Sequence, residues 1–253
     1  MAATSALILT APPSYGNATI SILVGSLGES GADTFQTFVM HEGLVRVQSP
    51  FFESAMAHDW KEAREKVVRL PDDEPDTFRA YFLWAYNHRL FCQPLVEPPD
   101  KAEVKRMDLL IRCYILGDKL MDDDFQDAIV DVLIQFCEQA NTWPITMTRF
   151  IFENTPVTSP LRAFIVDVIV HLNFLKYWNT MTSTDCLETH NEDALFHITR
   201  TFMRLRDVPV SKQTAPFRGS DRCVYHNHKK HDKPCYKETY GLRPQTRCLL
   251  NAS

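Results

Sequence analysis

The chain has 253 residues, 45% of them hydrophobic and 23% charged, which is globular composition and enough length to bury a sizeable core without disulfides. Its net charge of -5 argues neither for nucleic acid as the main partner nor for an acidic tail. The charge is uneven, however: residues 1–210 hold 18 Lys+Arg against 29 Asp+Glu, whereas residues 211–253 hold 9 against 3. A basic tail on an acidic body reads either as an arm for nucleic acid or an acidic partner, or as a loosely ordered tail lying on that body.

Residues 1–17 are small, polar and proline-containing and read as a disordered lead-in. Thr19 to Val24 alternates around Ile20, Ile22 and Val24, a strand pattern. Gly25 to Gly31 reads as a hairpin turn and Phe35 to Val39 as the answering strand. Glu42 to Val47 is a short helix. Ser49 before Pro50 gives an N-cap with proline at the first helical position, starting a second helix that runs to Met56. Lys66 to Leu70 is a strand. Asp72 to Pro75 then opens a helix whose apolar face carries Phe78, Phe82, Ala85 and Tyr86.

Phe91 to Asp100, with three prolines, is a loop. Leu109 to Leu120 is helical, with Leu109, Cys113, Leu116 and Leu120 on one side. Asp122, Asp123 and Asp124 open the next helix, which buries Phe125, Ile129, Val132, Leu133 and Phe136. The three acids lack the alternating ligands and glycine of a calcium loop and read as charge at a helix start. Two further helices are expected, Leu161 to Phe174 and Glu192 to Arg206. Beyond Pro209 the periodicity dissolves.

From Phe35 to Leu90 a strand, His41, a helix pair around Ser49-Pro50-Phe51-Phe52, a strand and an amphipathic helix follow in turn. This order resembles the BTB/POZ domain, in the form that filamentous fungi carry in large numbers. The resemblance covers residues 19 to about 136 well and implies an α+β fold: a small mixed sheet with a cluster of helices, a C-terminal helical extension and a partly ordered tail. The divisions would be a lead-in over 1–17, the BTB/POZ domain over 18–136, the extension over 137–210 and a basic Cys/His-containing tail over 211–253. The resemblance further implies protein partners, as a homodimer, a BTB hetero-oligomer or an adaptor on a cullin-type ubiquitin-ligase scaffold. It puts Phe51, Phe52 and Tyr86 at the surface that partners meet. His41 reads as a structural residue, its ring N–H given to a backbone carbonyl at the strand-to-helix turn.

The tail holds Cys223, His226, His228, His231 and Cys235 within thirteen residues. Zinc takes four such donors tetrahedrally, and Cys223, His226, His228 and Cys235 are the candidate ligands. A partner-binding tail and a Cys223–Cys235 disulfide stay open beside zinc. A similar run near the C-terminus belongs to the fungal BTB resemblance. No phosphate-binding loop, dinucleotide fingerprint, zinc-protease helix or nucleophile elbow is present, so a non-enzymatic chain is expected. The remaining alternatives are a nuclear regulator whose basic tail contacts nucleic acid, though the tail lacks a recognition helix, and an enzyme with a metal at Cys223 and His226. The seven cysteines are an odd number, with Cys92, Cys113, Cys137 and Cys186 scattered, which suits a reducing compartment, and no window approaches the roughly 20 apolar residues of a membrane span. The start has no basic segment ahead of its short apolar run. An intracellular chain, cytoplasmic or nuclear, is the expectation.

Overall fold

The computed structural model describes residues 15–26, 35–57, 60–90, 99–172, 179, 181–209, 212–219 and 221–242. Most of the expected lead-in, the tip of the Gly25–Gly31 turn and most of the Phe91–Asp100 loop lie outside them. Among the described residues, eleven α-helices and one three-stranded mixed sheet make an α+β fold.

Strand β1 (Thr19–Val24) is central. It runs antiparallel to β2 (Gln36–His41), with Ile22 opposite Phe38, and parallel to β3 (Val67–Leu70), with Val24 opposite Leu70. The alternating pattern turns Ile20, Ile22, Val24, Phe38, Met40, Val68 and Leu70 into the core, because successive side chains on a strand point to opposite faces.

Three short helices cross from β2 to β3: α1 (Glu42–Gln48), α2 (Pro50–Ala57) and α3 (Lys61–Glu65). Ser49 Oγ accepts the Phe52 N–H at 3.3 Å and donates to the Leu120 carbonyl at 2.5 Å. The cap expected from Ser-Pro therefore starts α2 and also ties it to a later helix. Helix α4 (Pro75–Asn87) buries Phe78, Tyr81, Trp84 and Ala85, while Phe82 and Tyr86 are only half-buried. The apolar face expected from the sequence is rotated, since α4 lies between the sheet on one side and the helix that follows on the other.

His41 is a structural residue, but its partner differs from the expected carbonyl. The Tyr86 hydroxyl accepts the His41 backbone N–H at 3.1 Å and is hydrogen-bonded to His41 Nδ1, 2.9 Å away. One side chain on α4 thus closes the β2–α1 corner. Tyr86→Phe removes both bonds and is expected to lower stability by about 1–2 kcal/mol. Urea unfolding reads this directly, and an unchanged midpoint would show the clasp to be incidental.

Helix α5 (Pro99–Leu120) starts well before Leu109. Its first turns are rich in Lys, Glu, Arg and Asp, so they carry no apolar period from which to read a helix. It packs on α6 (Asp123–Ala140). A Cβ at Gly117 would meet Gln126 Cγ at 2.8 Å and Phe125 Cδ1 at 3.1 Å, so the close approach of the pair needs glycine. Asp122 caps α6, accepting the Phe125 N–H at 2.8 Å, and burial pushes its carboxyl up to about 7.

The extension comprises α7 (Thr148–Glu153), α8 (Pro160–His171), α9 (Ser183–Thr189) and α10 (Glu192–Arg206). Buried Arg162 joins three of them, donating to the Phe152 and Thr155 carbonyls and pairing with Asp193 at 2.7 Å. After Pro209 the chain does not trail away. Short 3-10 turns at Pro216–Arg218, Arg222–Tyr225 and His228–Lys230, then α11 (Tyr236–Thr239), pack on α6 and α8. Phe217, Tyr225 and Tyr236 are buried there and join the core of the rest. They occur singly between turns, with neither helical nor strand period, which is why the sequence pattern appears to end. No described helix is long and apolar enough to cross a membrane.

Candidate metal centre

Acidic side chains of the body hold the C-terminal segment. Tyr225 Oη donates to Asp167 on α8 at 2.6 Å, and Tyr236 Oη and Tyr240 Oη donate to Asp131 and Asp124 on α6 at 2.7 and 2.9 Å. Asp127, between those two, accepts the backbone N–H groups of Asn227 at 2.5 Å and His228 at 3.2 Å. Asp124, Asp127 and Asp131 stand at offsets 0, 3 and 7, one face of a helix. The Tyr240 ring also stacks on His88 at the end of α4, with centroids 3.7 Å apart. The tail's charge is spent in the same way: Lys233 meets Asp123 at 3.4 Å and Lys237 meets Asp131 at 2.5 Å. The charge asymmetry of the sequence is thus, in part, an internal complement.

This anchoring folds the tail so that Cys223, His226, His228 and Cys235 converge, with one donor atom from each within 4.8 Å of all the others. The two sulfurs are 4.0 Å apart, and Cys235 Sγ lies 3.8 Å from His226 Nδ1. The outer contacts define which ring nitrogens face inward. His228 Nδ1 is 3.2 Å from the Lys233 carbonyl and carries the proton it donates there, which leaves Nε2 as an acceptor. That Nε2 is buried with no hydrogen-bond partner. His226 Nε2 lies 3.3 Å from Asp131 Oδ2, off the line of a hydrogen bond, and its Nδ1 lies 3.8 Å from both Cys235 Sγ and Asp127 Oδ2. A ligating imidazole that gives its second N–H to a carboxylate or carbonyl is the usual outer shell of a metal site. A buried imidazole nitrogen without a hydrogen-bond partner is costly unless a ligand meets it.

The charges agree with this reading. Burial alone would raise the Asp131 carboxyl, but His226 and Lys237 outweigh it and hold the group below the ordinary carboxylate range. Burial, with Cys235 close by, pushes the Cys223 thiol up to about 12. Lys237 favours the Cys223 thiolate but does not offset burial and the neighbouring Cys235, and a bound metal ion would supply the further positive charge that two thiolates need. All four candidate ligands therefore form a set that could hold a metal. His231, in the same run of the tail, is exposed and lies 3.6 Å from Asp123.

The expected partner-facing residues are separated by the fold. Phe52 is 0% exposed, inside the core, while Phe51 beside it is half-buried. Tyr86 is half-buried and committed through its hydroxyl to His41. A side chain with no exposed surface offers a partner nothing directly, so of the three only Phe51 and the ring edge of Tyr86 remain available. Sequence reasoning missed Asp127, Asp131 and Asp167. Their signal was present as carboxylates recurring within the apolar faces of α6 and α8, where an unpartnered acid is too costly to keep. No protein-family model matches the chain.

Proposed function

We propose that the chain is a non-enzymatic protein-interaction module of the BTB/POZ type, with its C-terminal segment fastened to the helical body by a structural zinc ion. The order β1, β2, α1, α2, α3, β3, α4, α5, α6 supports the module, since it contains the succession of elements on which the resemblance rests, with the short α3 added. The single observation that carries the zinc is the convergence of two sulfurs and two imidazole nitrogens. Two Cys and two His complete a tetrahedron, and a zinc site closed by four protein ligands serves structure rather than catalysis. On this reading the module self-associates, pairs with another BTB chain or docks on a cullin-type scaffold, with Phe51 on the contacted surface.

Light scattering of the purified chain and pull-down from source cells test the module, using the intact chain and Phe51→Ala. A dimer, or capture of a cullin or a second BTB chain, is expected, and Phe51→Ala should weaken it. A monomer that captures none of these overturns the reading. Elemental analysis should find zinc at close to one ion per chain, and a value near zero refutes the metal site.

A further inference from the structure

Beside the candidate metal centre lies a cleft of about 510 Å³, between α8, α10 and the turn that carries Lys229. Its charge is opposite to that of the chain as a whole. Arg200 and Arg204 line one wall, one helical turn apart on α10, and Lys229 and Lys230 line the other. Arg162, itself buried, contributes to the floor. Among the described residues Asp167 is the only carboxylate in the lining, and its charge is already engaged by the Tyr225 hydroxyl.

The two arginines are exposed and, among the described ion pairs, have no acidic partner; Arg200 rests over the Phe196 ring with 5.7 Å to the centroid. Lys230 is held toward the cleft by the Thr158 carbonyl at 2.6 Å and Asn227 Oδ1 at 3.0 Å, neither of which carries a charge. Lys229 pairs with Asp221 at 3.0 Å, but Arg200, Arg204 and Lys230 have no acidic partner among the described ion pairs, and unmatched cations on both sides of one hollow call for an anion from outside. Val157, Val166 and Val224 also line the cleft, and Val157 and Val224 are exposed. A bare phosphate would have no use for that aliphatic surface, whereas a peptide bearing carboxylates and aliphatic side chains matches both parts. Arginine forks also suit carboxylates, which accept two parallel N–H bonds.

We propose that this cleft binds an acidic, aliphatic-bearing segment of a partner protein, its carboxylates held between Arg200 and Arg204 on one wall and Lys230 on the other. The inference rests on the reading of the chain as a docking module and names one site of that docking. It places the site on the C-terminal part, away from the α2 surface where Phe51 lies.

Fluorescence anisotropy with the full chain and a labelled peptide alternating glutamate and leucine tests it. Saturable binding is expected, weakening as salt rises, with no binding of the glutamine–leucine counterpart. Arg200→Glu combined with Arg204→Glu should weaken the peptide by about tenfold or more, and Lys230→Glu on the opposite wall should weaken it as well. All these side chains are exposed, and an unchanged circular dichroism spectrum and zinc content will show that the variants fold. Absence of peptide binding, equal binding of the uncharged peptide, or indifference to the charge reversals overturns the proposal. So does binding of pyrophosphate, with the same arginine dependence, in place of the peptide. A chain that still dimerises but ignores the peptide loses only the cleft, whereas a chain that neither self-associates nor captures a partner loses the module.

Discussion

Cys235→Ser is expected to abolish zinc binding and to release the C-terminal segment from the helical body. Cys235 is buried and its sulfur faces both Cys223 and His226, so no neighbouring side chain can replace it in the donor set. Structural zinc contributes on the order of 10 kcal/mol of apparent folding free energy in small domains, and several kcal/mol of that should be lost here. The loss should be local at first. The hydrogen bonds of Tyr225, Tyr236 and Tyr240 to α8 and α6 persist without metal, but they no longer hold a closed loop. Limited proteolysis should therefore cut within residues 221–242 of the variant and of chelator-treated protein, while the sheet and α4 to α6 stay protected. Asp131→Asn leaves the four ligands in place but removes the charge beside His226 Nε2. Its expected effect is a 10- to 100-fold weaker zinc affinity, read by competition with a chromogenic chelator. Equal protease resistance with and without metal would show that the tail is held by its tyrosines alone.

Phe52→Ala is expected to cost about 3–5 kcal/mol of stability, the range for a wholly buried phenylalanine cut back to a methyl group, whereas Phe51→Ala should cost about 1 kcal/mol. The two rings are neighbours in sequence and in space, with centroids 5.3 Å apart, but Phe52 alone is sealed inside the core. The cost at Phe52 includes a cavity that the cap at Ser49 keeps from collapsing, since its hydroxyl pins the start of α2 to the Leu120 carbonyl. Denaturant midpoints measure both variants. Similar losses at the two positions would mean that Phe51 is as much a core residue as Phe52, and the surface assigned to partners would have to move elsewhere.

Much of this protein can be read along the chain, because its first part is built from local signals. The alternation of Ile20, Ile22 and Val24, the Ser49-Pro50 cap and the acids before Phe125 each act within a few residues, and each appears in the structure where it was expected. The two largest departures have different causes. The start of α5 is polar and takes its conformation from the helix it extends, whereas α4 buries a different face because it is packed between the sheet and α5.

The C-terminal segment shows where the sequence stops being sufficient. Its composition alone determined that two cysteines and three histidines were close enough to share a metal, and that the basic tail had an acidic body to lie on. Only the tertiary structure decided which nitrogen of each histidine points inward: the Lys233 carbonyl holds His228, and Asp127 and Asp131, about a hundred residues earlier, flank the His226 ring. Ligand geometry depends on outer contacts made across the fold, and a carboxylate at the face of one helix carries no mark in the sequence of the loop it will orient. The same holds for the cationic cleft, whose two walls lie on α10 and on the turn after Tyr225 and meet only because Tyr225 and Asp167 bring the tail onto α8.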